Sequence, residues 1–228
     1  IGLTSGSLGG TFPSAFTTGG VANATRFVGI NCFFAAGGAV SSIQNNTIGG
    51  IALYTSSGAS TTFGLICGIA VTSGNANIGT VTGNTIGAVS GGSSIYAAST
   101  TAGGVISGIY CTTTNTINIQ NNNIGGIDVS GTTATQAQGF KGNDAAGTGT
   151  YTITNKSVGN ASANNIRTGY LLTAGSLSNA ATTPTTATGT SAFTGILNSS
   201  TGSNINITNN TLQGFLMSGS VTTFTGII

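Results

Sequence analysis

The string SIQNNTIGGI at residues 42–51 constrains this chain more than any other feature, because the chain keeps rewriting it. Related strings return as TVTGNTIGAV (80–89), NIQNNNIGGI (118–127) and NITNNTLQGF (206–215). Each box begins on an apolar residue, taken as Ile43, Val81, Ile119, Ile153 and Ile207. Five residues later stand Ile48, Ile86, Ile124, Val158 and Leu212, and three further on Ile51, Val89, Ile127, Ala161 and Phe215. Successive boxes start 38, 38, 34 and 54 residues apart. A second box, glycine followed by a large apolar residue, alternates with the first: Gly29-Ile30, Gly68-Ile69, Gly108-Ile109, Gly139-Phe140, Gly195-Ile196 and Gly226-Ile227. Two residues beyond the first three stand Cys32, Val71 and Cys111, a period-two alternation that predicts short strands with one buried face.

Self-similarity at this period marks a chain built of stacked repeats, each too small to bury its own apolar face. The spacing predicts an all-β, right-handed parallel β-helix of about five to six coils, with variable loops on one side. At about 4.8 Å per coil the stack is roughly 25–30 Å long. Its inward columns are predicted as Ile30, Ile69, Ile109, Phe140, Ile196 and Ile227, and as Ile48, Ile86, Ile124, Val158 and Leu212. The hand rests on the general right-handedness of parallel β crossovers and on the family resemblance given below.

Between the apolar positions of the first box sit Asn45-Asn46, Gly83-Asn84, Asn121-Asn122, Asn155-Lys156 and Asn209-Asn210. A five-residue apolar spacing breaks strict alternation, so the chain must bend there. Asn and Gly tolerate the left-handed backbone that such a bend uses. Asparagines in register can also bond to the same residue one coil away. The predicted asparagine corners are therefore Asn45, Asn46, Asn84, Asn121, Asn122, Asn155, Asn209 and Asn210.

From about Phe27 to Ile228 this pattern resembles the right-handed parallel β-helix repeat of the pectate-lyase-like superfamily, with its GI…I-x-NN-x-I signature. In its low charge and Thr/Asn/Gly content it also resembles segments of large bacterial surface adhesins and extracellular fibres. The resemblance implies the fold. Its enzymes use clustered Asp residues, or an Arg or Lys base beside calcium, and this chain offers little of either.

Charged residues are 3 % of the chain against a usual ~25 %, and glycine is 39 of 228. The mean hydropathy of +0.31 argues against a disordered linker, which needs low hydrophobicity. Arg26, Lys141, Lys156 and Arg167 are scattered, whereas a nucleic-acid surface needs clustered cations. No apolar run of about 18 residues is present to insert in a membrane. With two acids, Asp128 and Asp144, and no histidine, a carboxylate pair for acid–base work is not expected, and Lys141 beside Asp144 reads as a surface ion pair. Catalytic, cofactor-binding and metal-binding residues are accordingly expected to be none, and no cofactor is implied. The three cysteines read as small apolar residues: Cys32 and Cys111 share a column two coils apart, beyond disulfide reach.

The expectation is a single β-helix segment over 1–228, part of a longer repetitive chain, with a long loop insertion at 162–194. Its expected role is non-enzymatic, the stalk or fibre of a secreted bacterial cell-surface adhesin or extracellular filament. Its expected partners are copies of itself or further coils, and surface glycans are a second class. Exposed aromatics such as Tyr110 and Tyr170 are candidates to stack on sugars. The rival reading is a carbohydrate-binding module or a catalytically dead polysaccharide-processing relative. Ice binding is weaker, because only one column, Thr47, Thr85, Asn123, Ser157 and Thr211, is rich in hydroxyls.

Overall fold

The computed structural model describes residues 16–60, 62–88, 94–131, 138–161, 165–171, 185–186, 190–202, 204–217 and 221–228. Strand β1 (Phe16–Asn23) comes first, and a first layer follows as β2 (Phe27–Cys32), β3 (Ser41–Ile43), β4 (Thr47–Ile48) and β5 (Ile51–Thr55). The second layer is β6 (Ile66–Val71), β7 (Ala76–Ile78), β8 (Thr85–Gly87) and β9 (Ile95–Ser99). The third is β10 (Gly104–Thr113), β11 (Thr116–Gln120), β12 (Asn123–Gly125) and β13 (Ile127–Gly131). The fourth is β14 (Gln138–Gly147), β15 (Thr150–Thr154), β16 (Ser157–Val158) and β17 (Ile166–Leu171), followed by the short β18 (Thr185–Thr186). The fifth is β19 (Thr190–Asn198), β20 (Ile205–Thr208), β21 (Thr211–Leu212) and β22 (Phe215–Met217), and β23 (Val221–Ile227) opens a sixth.

Each layer visits the same four sheets in the same order. The first sheet is β2-β6-β10-β14-β19-β23 and the second is β3-β7-β11-β15-β20. The third is β4-β8-β12-β16-β21, and the fourth runs from β1 through β5, β9 and β13 to β17 and β22. All these pairings are parallel; only β18 joins β17 antiparallel. A two-residue strand such as β4 could not persist alone. It does so because its partners lie in the next layer, so hydrogen bonds run between layers. The described fold is thus all-β with stacked parallel sheets, an arrangement compatible with a parallel β-helix.

Five columns of side chains line the middle. The third sheet contributes Ile48, Ile86, Ile124, Val158 and Leu212, aligned strand on strand. The second contributes Ile43, Ile78, Ile119, Ile153 and Ile207. The fourth contributes Ile51, Ile95, Ile127, Ile166 and Phe215. The first sheet brings the column Ile30, Ile69, Ile109, Asn143, Ile196 and Ile227, and a second one of Phe27, Ile66, Ile106, Phe140, Phe193 and Phe224.

This register corrects the predicted columns. Phe140 does not stand with Ile30, Ile69 and Ile109; Asn143 does. The glycine of the motif in the fourth layer is Gly142, and Gly139 lies three residues earlier on the same strand, level with Val105 and Ala192. The physical distinction lies in what a side chain would meet. A Cβ on Gly142 would come 2.4 Å from the Gly195 carbonyl oxygen and 2.9 Å from Val158, whereas one on Gly139 meets nothing closer than 3.5 Å. Gly68, Gly108 and Gly195 show the same crowding, each against an aliphatic side chain of the third sheet: Ile86, Ile124 and Leu212. The glycine column therefore exists to admit the aliphatic column opposite.

Val81 is a second correction: Ile78 takes the inward place above Ile43, and Val81 is 86 % exposed. The chain between Ile78 and Asn84 is three residues longer than between Ile43 and Asn46, and Val81 rides on that bulge. Likewise Ile95 and Ile166, not Val89 and Ala161, continue the column of Ile51. Val89 lies outside the described residues, and Ala161 is exposed. Extra chain is inserted at several corners rather than on one side only. Ile227, on the edge strand β23, is 50 % exposed although the inner members of its column are buried. Within 162–194, residues 166–171 form β17 and 190–194 open β19; Pro184 lies outside the described residues.

Candidate functional site

The corner between the second and third sheets is where the asparagines act, and the two positions of each pair do different work. Asn45, Asn121, Asn155 and Asn209 adopt left-handed φ values of 54, 56, 52 and 55°. They make the bend, a conformation that L-residues other than Asn, Asp and Gly seldom take. The following residue points into the stack. Asn46 donates from Nδ2 to Asn84 Oδ1 at 2.9 Å, and Asn84 donates in turn to Asn122 Oδ1 at 2.8 Å. The backbone N–H groups of Asn46 and Asn84 reach the same oxygens, both at 3.0 Å. Asn84 and Asn122 are fully buried. The ladder thereby meets the polar groups a tight corner would otherwise strand.

In the fourth layer the ladder position is Lys156. Its backbone N–H donates to Asn210 Oδ1 at 3.1 Å, which maintains the corner. Its side chain is 1 % exposed and turns inward, where Nζ donates to the Gly142 carbonyl at 3.2 Å and to Asn143 Oδ1 at 3.0 Å. Asn143 is fully buried, and its Nδ2 has no hydrogen-bond partner. Burial pushes the Lys156 ammonium down to about 7, with Cys111 acting the other way. Burial likewise pushes the Cys111 thiol up to about 12. Beside it the Tyr151 hydroxyl donates to the Ala146 carbonyl and accepts from the Thr113 backbone at 3.3 Å.

The sequence singles out neither Asn143 nor Lys156 as a site. The available signal is a double one: the only lysine in a ladder position falls in the layer whose Gly-apolar box is displaced.

The other charges are neutralised locally. Arg26 donates to the carbonyls of Gly64, Gly58 and Ala59, holding the 56–65 excursion against the first sheet. Asp128 accepts from Arg167 in a buried pair on the fourth sheet, where the two stand side by side on β13 and β17. Lys141 and Asp144 pair at 2.7 Å on the outward face of the first sheet. The two carboxylates thus sit in different sheets, each engaged by a cation. Among the described residues no three of His, Cys, Asp and Glu converge.

Tyr110 is not the exposed aromatic the sequence suggests: it is 6 % exposed and packs edge-on against Phe63 with centroids 5.7 Å apart. Phe63 and Val28 pack against it, together with Cys67 and Ala70. The Tyr170 side chain lies outside the described residues. Among the described residues the most exposed aromatic is Phe33, at 80 %. It borders a shallow open groove at the turn from the first to the second sheet, with Thr72, Ser73, Thr112, Thr114 and Asn115. On the third sheet Thr47, Thr85, Asn123, Ser157 and Thr211 do stand one above another. The outward column of the second sheet is mixed: Ser42, Asn77, Asn118, Thr152 and Asn206.

The class defined so far is an all-β protein of stacked parallel sheets with an internal asparagine ladder. Comparison with protein-family models, with curated proteins and with solved structures gave no match to this chain.

Proposed function

We propose that the chain is a right-handed parallel β-helix of the pectate-lyase-like kind that serves as a stiff, non-enzymatic section of a stalk or fibre, in a secreted bacterial surface adhesin or extracellular filament. The observation that carries this reading is the registry of like residues through the first three layers: isoleucine on isoleucine inside, asparagine on asparagine at the corner. Such a stack resists bending because every layer is hydrogen-bonded to the next along its length. On the sixth strand of the first sheet Phe224 and Ile227 stand half exposed, in columns whose inner members are buried. A further layer, supplied by more chain or by a second copy, would cover them. Electron microscopy with sedimentation at rising concentration tests the reading. Thin rods that lengthen with concentration are expected, and compact monomers at every concentration would overturn it.

A carbohydrate-binding module is the second reading, favoured by Phe33, an aromatic face beside hydroxyls and an amide. A glycan array separates the two. Saturable binding to one sugar class, lost in Phe33→Ala, would establish the module.

A further inference from the structure

Two departures from the repeat fall in one layer, and they meet. The column of Ile30, Ile69, Ile109, Ile196 and Ile227 carries Asn143 in the fourth layer, and the asparagine ladder carries Lys156 in that same layer. Asn143 alone would bury a carboxamide with no partner, and Lys156 alone would leave its amine only the Gly142 carbonyl. Together they set Nζ of Lys156 3.0 Å from Oδ1 of Asn143, with both side chains closed off from water. The contact is a hydrogen bond to the oxygen; a small rotation of either side chain carries the amine from Oδ1 over the adjacent Cγ, and a slow bimolecular step then proceeds within one molecule. The amide nitrogen that would depart, Nδ2, is held by no hydrogen bond.

We propose that Lys156 and Asn143 become joined by an isopeptide bond, formed by the chain itself with release of ammonia. The lone pair of neutral Nζ attacks Cγ of Asn143 and forms the Nζ–Cγ bond. The carbonyl electrons move to Oδ1 and return as the Cγ–Nδ2 bond breaks. A proton from Nζ passes to Nδ2, which leaves as ammonia, so the step needs neither oxidant nor water. Desolvation, by holding Lys156 down to about 7, keeps much of the amine neutral in ordinary buffers. Neither carboxylate takes part in the proton transfer: Asp144 is held by Lys141 and Asp128 by Arg167. The bond would pin β14 to the corner after β15 across the core. It stands independently of the rod reading, since it forms whether or not the chain is a stalk.

Intact mass spectrometry of the whole folded chain, then tryptic digestion after full denaturation, tests the proposal. The expected mass is short by one ammonia. Trypsin cannot cut after an acylated lysine, so residues 142–167 are expected as one peptide, light by that ammonia and giving no backbone fragments between Asn143 and Lys156. Lys156→Arg and Asn143→Ala are expected at full mass, and Asn143→Ala regains cleavage after Lys156. The wild-type chain alone decides the matter. Full mass with cleavage after Lys156 overturns the proposal, as does an ammonia loss that maps to a backbone succinimide elsewhere.

Discussion

Gly108 in the first sheet and Ile124 in the third claim the same space from opposite sides. A Cβ on Gly108 would lie 2.5 Å from Ile124 Cδ1 and 2.6 Å from the Gly142 carbonyl, and the latter is backbone that cannot step aside. Overfilling a packed core costs about 1–3 kcal/mol. Gly108→Ala should therefore lower the urea midpoint, while Gly139→Ala, whose Cβ would meet only ordinary van der Waals contacts, should leave it unchanged or raise it slightly. Equal losses would overturn the assigned register. Lys156 gives a second residue-scale prediction. In Asn143→Ala, where the amine stays free, burial holds its pKa down toward 7 from an ordinary 10.5. Above about 7 the unfolded chain binds a proton that the folded chain gives up, so stability rises with pH at up to ~1.4 kcal/mol per unit. Below that value both states are protonated and the cost of burying the charge is fully present. Buried Cys67 and Cys111 oppose the rise once unfolded thiols ionise near ~8.5, so urea midpoints between pH 7 and pH 8 are the informative ones. A flat profile would place the amine in water.

Within the corner element, bend and ladder are separable by mutation. Asn121 supplies left-handed backbone, so Asn121→Ala should cost roughly 1–2 kcal/mol while Asn121→Gly costs little. Asn122, itself fully buried, accepts from Asn84 and donates to the Ile78 and Gln120 carbonyls. Asn122→Ala strands those partners, with a loss of about 1–3 kcal/mol for each group left unpaired. Chemical denaturation of the three variants checks the order, and a loss in Asn121→Gly as large as in Asn121→Ala would refute the backbone argument. These corners were legible in the sequence because Asn-Asn between two isoleucines has few other uses. The columns were legible wherever a layer kept its length, as at Ile48, Ile86 and Ile124. They were lost where it did not: Val81 mimics Ile78 because a bulge restores the count, and Phe140 mimics an isoleucine because a stray glycine precedes it. The node at Lys156 was illegible for another reason. Its two residues compensate each other across the core, and no local window of sequence contains that contact.

For the molecule as a whole, stability should follow the stack and ignore salt. With two ion pairs and a formal net charge of +2 there is little for added salt to screen. The melting temperature should shift by no more than a few degrees between low and high sodium chloride, and a large drop would mean the ion pairs matter more than the core. Hydrogen exchange should be slowest in β10, β11, β14 and β15, which have partners on both sides, and faster in the edge strands β2 and β23. Uniform protection would show that the layers open together rather than from the ends.

The registry of the second and third layers has one more consequence. Because Ile86 and Ile124, or Asn84 and Asn122, see nearly the same surroundings, a stretch such as β6–β9 is a transferable cassette. Duplicating it would lengthen the stack by about 4.8 Å and require no new side-chain solution. The layer holding Asn143 and Lys156 has no such freedom. Its interior is written once, which makes it the fixed address in an otherwise copyable text.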